Sequence, residues 1–295
     1  MSKSFAYTAA LAAFISQAQA SKCYAIAFSS GDQAAAYQTG ALQGLVDGMA
    51  PYDTAYTAIS GVAGGAVNAA ILASFPVGSE SDAVTRMKTF WDNSGNTALY
   101  KDWPGGVTEG LLMKGGLWND KPLLNFLTSE MADISPNQRY VDVGLTNILT
   151  GTYQNYYSSD LSVSELVDVM YGSFAYAGFF APEEAMNSSW FTGSTIFDLD
   201  IFSVVNKCLE THLPEDIVVD VIMTNAKTLK QVNAENFKSS EMVWRFLHVM
   251  RYYSVMDGLL RAQFAYPTVN FRNIVSPSSD LPDTRMPMVS LFQKF

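Results

Sequence analysis

The chain has 295 residues, which is enough to bury one large core or two modest ones. Hydrophobic residues make up 48% and charged residues 16%, a balance typical of a globular protein without a long disordered tail. The formal net charge of −10 argues against a nucleic-acid partner and predicts that anionic membranes repel most of the surface. Because no internal repeat, low-complexity tract or proline-rich linker interrupts the sequence, a single domain is the simplest organisation.

The first twenty residues, 1–20, have the pattern of a secretory signal peptide. Lys3 gives a positive start, residues 5–15 form an apolar run too short to span a membrane, and Ala18-Gln19-Ala20 fits a cleavage site of small residues. An ordinary N-terminal helix is the alternative. The pattern predicts a chain that is secreted or held in an endomembrane lumen, without a transmembrane anchor.

Two further features, a pair of cysteines and a glycosylation sequon, are informative if the chain is secreted. Cys23 and Cys208 are the only cysteines, and in an oxidising compartment they are expected to form one disulfide, with two buried free thiols as the alternative. Asn187 opens an Asn-Ser-Ser sequon, a possible N-glycosylation site whose pattern carries weight only in a secreted chain.

Apolar strand candidates alternate with helical stretches along the chain, which predicts an α/β fold with helices on both faces of a mostly parallel sheet. The predicted strands span residues 23–28, 56–59, 139–145, 152–157, 217–223 and 269–275. The predicted helices span residues 34–48, 66–74, 83–91, 121–131, 163–171, 199–209 and 239–264.

The turn after the second strand has the pattern of a nucleophile elbow, a tight strand-to-helix turn that presents a reactive side chain. Such a turn strains its central residue, so strand and helix can approach only if the neighbouring residues are small. Gly61, Gly64 and Gly65 meet that demand. The central residue of the G-x-S-x-G pattern is Ala63, whose methyl group cannot attack a carbonyl carbon.

Six fragments in the same order resemble one protein family over residues 24–208. They are one strand–helix unit at 25–29 and 36–42, the elbow at 60–69, and four further segments at 116–123, 146–151, 177–182 and 192–194. The family is that of the patatin-like phospholipases. The resemblance implies a three-layer α/β/α fold and a lipid acyl hydrolase that works with a Ser–Asp dyad and a glycine-rich oxyanion loop.

The positions that carry the family's chemistry are changed in this chain. The serine position is Ala63, and the aspartate of the family's D-G-G or D-G-A motif falls on Thr192. The oxyanion loop is reduced to Ser30-Gly31-Asp32, which places a carboxylate where negative charge would develop. Three altered motifs together predict a catalytically inactive member that binds a lipid or acyl ligand, or a protein partner.

The same resemblance divides the chain. Residues 21–210 are expected to form the patatin-like domain, and residues 211–295 a strand–long helix–strand extension packed on the same domain. Neither His212 nor His248 has the spacing of a metal site, and the sequence contains no phosphate loop or dinucleotide fingerprint, so we expect no cofactor.

Two alternatives stay open. One is an active lipid acyl hydrolase of the phospholipase A type with a rearranged nucleophile, for example Ser60 with Asp200. In the simpler interpretation, Ser60 caps the turn, and Asp198 or Asp200 caps the helix that starts near Leu199. The other alternative is a structural or partner-binding protein without a ligand pocket.

Two aromatic stretches could contact lipid or a partner. The first, from Leu99 to Trp118, has the glycine-rich composition of a lid, although a secondary core is the favoured interpretation. The second lies on the long helix, where helical spacing also favours a core role; it comprises Trp244, Phe246, Tyr252, Tyr253 and Phe264.

Overall fold

The computed structural model describes residues 22–233 and 235–281, so the predicted signal peptide at residues 1–20 lies outside the described residues. The strands within these ranges are β1 (Cys23–Phe28), β2 (Ala58–Gly61), β3 (Tyr140–Asn147), β4 (Tyr153–Tyr157), β5 (Glu183–Ala185), β6 (Ser188–Thr192), β7 (Ile217–Ile222) and β8 (Asn270–Val275). The α-helices there are α1 (Ala36–Gly48), α2 (Gly64–Ala73), α3 (Glu80–Gly95), α4 (Gly106–Met113), α5 (Lys121–Glu130), α6 (Val163–Phe174), α7 (Phe202–Leu209) and α8 (Ser239–Ala265).

All eight strands join one sheet in the order β5-β6-β3-β2-β1-β7-β8, with β4 also paired to β3. Strands β1, β2, β3, β7 and β8 are parallel to one another. Strands β4 and β6 run antiparallel to β3, and β5 runs antiparallel to β6. The predicted α/β class with a mostly parallel central sheet is therefore confirmed, and the carboxyl ends of β1, β2 and β3 meet at one edge.

Two apolar cores lie on opposite faces of this sheet because alternate residues of a strand point to opposite sides. In β1, Ile26 and Phe28 pack into a core with α1, α2, α3, α5 and α6. Ala25 and Ala27 pack into the second core with α7 and α8. The sheet is thus the middle layer of three.

The C-terminal strands are integrated into the same sheet. Strand β7 lies between β1 and β8, and Arg272 of β8 donates to the buried carboxylate of Asp220 in β7 at 2.5 Å. Cys23 and Cys208 form a disulfide that joins the start of β1 to α7, with their Cα atoms 5.8 Å apart. The expected disulfide is present, and the alternative of two free thiols is wrong.

Three elements lie where the sequence predicted neither a helix nor a strand. Helix α4 occupies part of the glycine-rich stretch, and β5 and β6 form a hairpin that ends at Thr192. Strand β5 has only three residues, two of them glutamates, so its own sequence gives no strand signal. Pairing of β6 with β3 brings the hairpin into the sheet.

The core role predicted for the aromatic side chains of the long helix is wrong for three of the five. Phe246, Tyr253 and Phe264 are 61%, 62% and 83% exposed. The residues that α8 buries in the second core are instead Val255, Leu259 and Ala262. In the first aromatic stretch, Trp118 is buried as favoured, whereas Leu111, Leu112 and Met113 on α4 are exposed.

Helix α8 is the longest helix of the described chain, with 27 residues. Neither it nor any other helix within residues 22–233 and 235–281 combines the length and apolar character needed to cross a membrane.

Candidate functional site

The elbow between β2 and α2 is centred on Ala63, which has φ 50° and ψ −121°. A residue with a Cβ rarely adopts this conformation, and holding it costs about 1–3 kcal/mol. The Ala63 N–H donates to the hydroxyl of Ser173 on α6 at 2.8 Å, and that hydroxyl donates to the Gly144 carbonyl oxygen at 3.0 Å. A fully buried serine therefore connects the strained turn to β3.

The glycines of the elbow permit close approach of main chains. A Cβ at Gly65 would collide with the carbonyl oxygen of Ser29 at the end of β1, and one at Gly61 would collide with the carbonyl of Gly65. A Cβ at Gly64 would overlap the main chain of Asp32. The start of α2 thus packs directly against β2 and the loop after β1, which requires residues without side chains.

Thr192 ends β6 and is paired in register with Leu145 of β3. Its hydroxyl accepts from the Ser194 N–H at 3.2 Å and lies 3.0 Å from the Ser194 hydroxyl. Since the elbow is tied to Gly144, the neighbour of Leu145, the topology brings both sequence-predicted dyad positions to the same part of β3. Of these two positions, Ala63 carries a methyl group and Thr192 carries a hydroxyl.

The loop after β1 is held by a charged group from α8. Arg251 donates from Nε to Asp198 Oδ2 at 3.0 Å and from Nη2 to the Ser30 hydroxyl, which in turn donates to Asp198 Oδ1. Burial lowers the pKa of Arg251, but the carboxylates of Asp198 and Asp32 raise it more, so the net shift is upward. A guanidinium that stays charged therefore neutralises the loop carboxylates.

Sequence reasoning missed Arg251 because its partners are far along the chain. The only local signal was an arginine on the inward, mostly apolar side of α8, since a charge in that position needs a buried partner. Of the two aspartates expected to cap α7, Asp198 serves as that partner, and Asp200 accepts from the Ser203 N–H in the first turn of the helix.

The proposed pair of Ser60 and Asp200 is not assembled for catalysis. The Ser60 hydroxyl donates to the main-chain oxygen of Asp200 at 2.5 Å, instead of capping the turn. The Asp200 carboxylate accepts from Asn155 Nδ2 at 2.6 Å and from the Ser203 N–H at 3.1 Å, in the first turn of α7. Ser60 is therefore bonded to the backbone of Asp200 and not to its carboxylate.

An aromatic cluster connects three segments beside this site. Phe179 stacks on Trp118 at 6.1 Å and on Trp244 of α8 at 5.7 Å between ring centroids. Tyr176 packs against Phe179 at 5.4 Å, and Tyr100 packs against Trp118 at 5.9 Å. We call these five rings the aromatic cluster; it fixes the first half of α8 against the segment between α6 and β5.

No metal centre accompanies this arrangement in the described part of the chain, where no three His, Cys, Asp or Glu side chains are grouped so that they could hold an ion. The carboxylates beside the elbow interact with Arg251 instead. Asp198 accepts from Arg251 and from the Ser30 hydroxyl, and the charge of Asp32 also acts on Arg251.

Comparison with known proteins identifies the class. The family model of the patatin-like phospholipases matches residues 26–198, more than half of the chain, and the chain belongs to this family. Among solved structures, VipD from Legionella pneumophila is similar, with 13% sequence identity and a TM-score of 0.46. The match covers 91% of this chain and 64% of the VipD chain, so this chain spans less than two thirds of that protein. No curated protein matches this sequence.

Proposed function

We propose that this protein is a catalytically silent patatin-like phospholipase homologue that binds a lipid or acyl ligand, or a protein partner. The observation that carries the proposal is Ala63, which keeps the strained backbone of a nucleophile elbow without any nucleophilic atom. The position of the family's catalytic base is also changed, because it is occupied by Thr192. The hydroxyl of a threonine cannot accept the proton of an attacking group near neutral pH.

The oxyanion loop supports the same proposal. Stabilising a negative oxygen needs donors directed at an open position. In the Ser30-Gly31-Asp32 loop, the Ser30 N–H donates to the Asp198 carbonyl at 2.8 Å, and the Asp32 carboxylate raises the pKa of Arg251. The Ser30 N–H is thus already hydrogen-bonded within the protein. The positive charge of Arg251 is balanced by the carboxylates of Asp198 and Asp32.

Secretion, or residence in an endomembrane lumen, is part of the proposal. The disulfide between Cys23 and Cys208 supports it because such bonds persist in oxidising compartments. Asn187 is exposed at the turn between β5 and β6, where an oligosaccharide would meet no buried surface. We therefore propose Asn187 as a glycosylation site.

One observation favours a second candidate, an active hydrolase with a rearranged nucleophile. The Ser30 hydroxyl donates to the Asp198 carboxylate, the geometry that a serine and its base would have. However, Ser30 is only 2% exposed, and Arg251 donates to both partners, so the pair is buried and both of its members are already bonded to a third side chain. The silent homologue remains the better supported function.

A fluorophosphonate probe for activated serines distinguishes the two candidates. The purified protein, analysed by intact mass, should gain no probe adduct, whereas an active patatin-like phospholipase treated in parallel should be labelled. An adduct on the wild type that disappears in the Ser30→Ala variant would support the rearranged hydrolase and contradict the silent one. Lipid that copurifies with the protein, identified by mass spectrometry, would favour a lipid ligand over a protein partner.

A further inference from the structure

The outward face of α8 is apolar from Met242 to Tyr253 although it faces solvent, and the exposed ion pair between Asp257 and Arg261, at 2.7 Å, interrupts it further along the helix. Six of its large apolar side chains are between 52% and 83% exposed: Met242, Phe246, Met250, Tyr253, Leu260 and Phe264. At about 100° per residue these positions fall on one side of the helix. The opposite side carries the residues that hold α8 to the protein, namely Trp244, Arg251, Val255 and Ala262.

A second exposed apolar patch lies on α4. Leu111, Leu112 and Met113 are 69%, 74% and 79% exposed. Helix α4 packs through Gly110 against the main chain of Leu117, next to Trp118 of the aromatic cluster. Trp244, on the inward side of α8, belongs to the same cluster, so both helices are anchored to it. Exposed apolar surface of this kind marks an interaction site, because monomeric proteins rarely expose large apolar patches.

The segment before α8 carries positive charge in an otherwise acidic protein. Residues 224–238 contain three lysines and a single acidic residue, Glu235, whereas the whole chain has a net charge of −10. Lys227, Lys230 and Lys238 are all exposed. A basic segment beside an apolar helix face complements the surface of a bilayer that contains anionic lipid.

We propose that the outward face of α8, together with these lysines, is a docking surface for a phospholipid bilayer. The helix lies in the membrane interface with Phe246 and Tyr253 among the acyl chains and headgroups, and the lysines contact anionic headgroups. Its charged residues, among them Arg245 and Asp257, prevent it from spanning the bilayer. The inference goes beyond the proposed function and holds whether or not the site reacts.

Flotation with vesicles of phosphatidylcholine and phosphatidylserine tests the proposal on the full protein. The wild type should float with the vesicles, and the double variant Phe246→Ser/Tyr253→Ser should lose at least about tenfold in partition coefficient, because it removes two inserted rings. The matched control is Tyr52→Ser/Leu213→Ser, which changes residues that are 69% and 62% exposed and lie before β2 and β7. It should float like the wild type.

The lysines have their own test. Lys227→Gln/Lys230→Gln/Lys238→Gln should reduce binding to vesicles with phosphatidylserine, with little change on phosphatidylcholine alone, and added salt should have the same effect on the wild type. A wild type that stays with the soluble fraction, or a Phe246→Ser/Tyr253→Ser variant that floats unchanged, would overturn the proposal. So would a wild-type dimer that this variant dissociates, since the occupant would then be a second copy. Thermal unfolding and circular dichroism verify that each variant is folded.

Discussion

Ala63 combines a strained backbone with an inert side chain. Its φ of 50° is held by the Ser173 hydroxyl and by close packing of the elbow glycines, all of which remain in place. The spacing of the elbow pattern indicated Ala63 as the central residue of the turn, whereas Thr192 was assigned from the family resemblance. Neither could reveal Ser173 or Arg251, whose roles depend on how α6 and α8 pack in three dimensions.

The strain at Ala63 predicts an unusual response to glycine. Ala63→Gly should leave the free energy of unfolding unchanged or raise it by up to about 1 kcal/mol, because glycine adopts positive φ without steric cost. Ala69→Gly, at a buried position inside α2, should instead lower it by about 1 kcal/mol or more. Urea unfolding of both variants measures the contrast. Equal losses in the two variants would show that Ala63 is not strained.

Restoring the nucleophile alone should not restore turnover. Ala63→Ser places a hydroxyl at the elbow, but the Thr192 side chain offers it no base, so we expect esterase activity no higher than that of the wild type. Ala63→Ser/Thr192→Asp is the matched comparison, since it supplies both members of the dyad. Hydrolysis of a p-nitrophenyl ester by the single variant would show that another group fills the role of the base.

Elements with strong hydrophobic periodicity were predicted from the sequence. Strand β1 has the predicted bounds, and α8 begins at the predicted residue. The β5–β6 hairpin was missed because its pairing with β3 outweighs the weak strand propensity of Glu183 and Glu184. The outward face of α8 was misassigned because periodicity shows that a helix has apolar faces, and does not show which of them the protein covers.

Strand β5 brings Glu183 close to other carboxylates. Burial, together with Asp168, Asp120 and Glu184, raises the pKa of Glu183 to about 7. A raised pKa in the folded state favours the protonated form, so the stabilising contribution is full below the ordinary pKa of 4.5 and is lost as the pH rises through about 7. The acidic cluster thus makes the hairpin less stable at neutral pH.

Removing this carboxyl group should flatten the pH dependence. Glu183→Gln should show a smaller fall in melting temperature between pH 4.5 and about 7 than the wild type, because the amide has no proton to lose. Glu215→Gln, at an exposed position before β7, should retain the wild-type slope. Differential scanning fluorimetry across this range measures both. An unchanged slope in Glu183→Gln would contradict the raised pKa.

The sheet continues beyond the segment that matches the family model. Strand β7 pairs with β1 along its full length, from Cys23↔Ile217 to Phe28↔Ile222, and the second core needs Val219 and Val255. Family resemblance indicated a domain over residues 21–210, but a fragment ending there would leave β1 unpaired on one side and the second core open.

The fragment 21–210 is therefore expected not to fold independently. It should lack a cooperative thermal transition and the near-ultraviolet circular dichroism of packed aromatic rings, because half of the second core is missing. A fragment 21–281, which keeps every described strand, is the control and should unfold cooperatively. Cooperative unfolding of 21–210 would show that the C-terminal segment is an accessory to an independent domain.

We propose that the patatin-like fold persists in this protein without hydrolysis. The most direct test is to incubate the purified wild-type protein with phospholipid vesicles and to measure released fatty acid by mass spectrometry. We predict release equal to that of vesicles without protein, both in the wild type and in Ser30→Ala. Enzymatic release that the wild type shows and Ser30→Ala abolishes would contradict the account and assign the reaction to the Ser30–Asp198 pair.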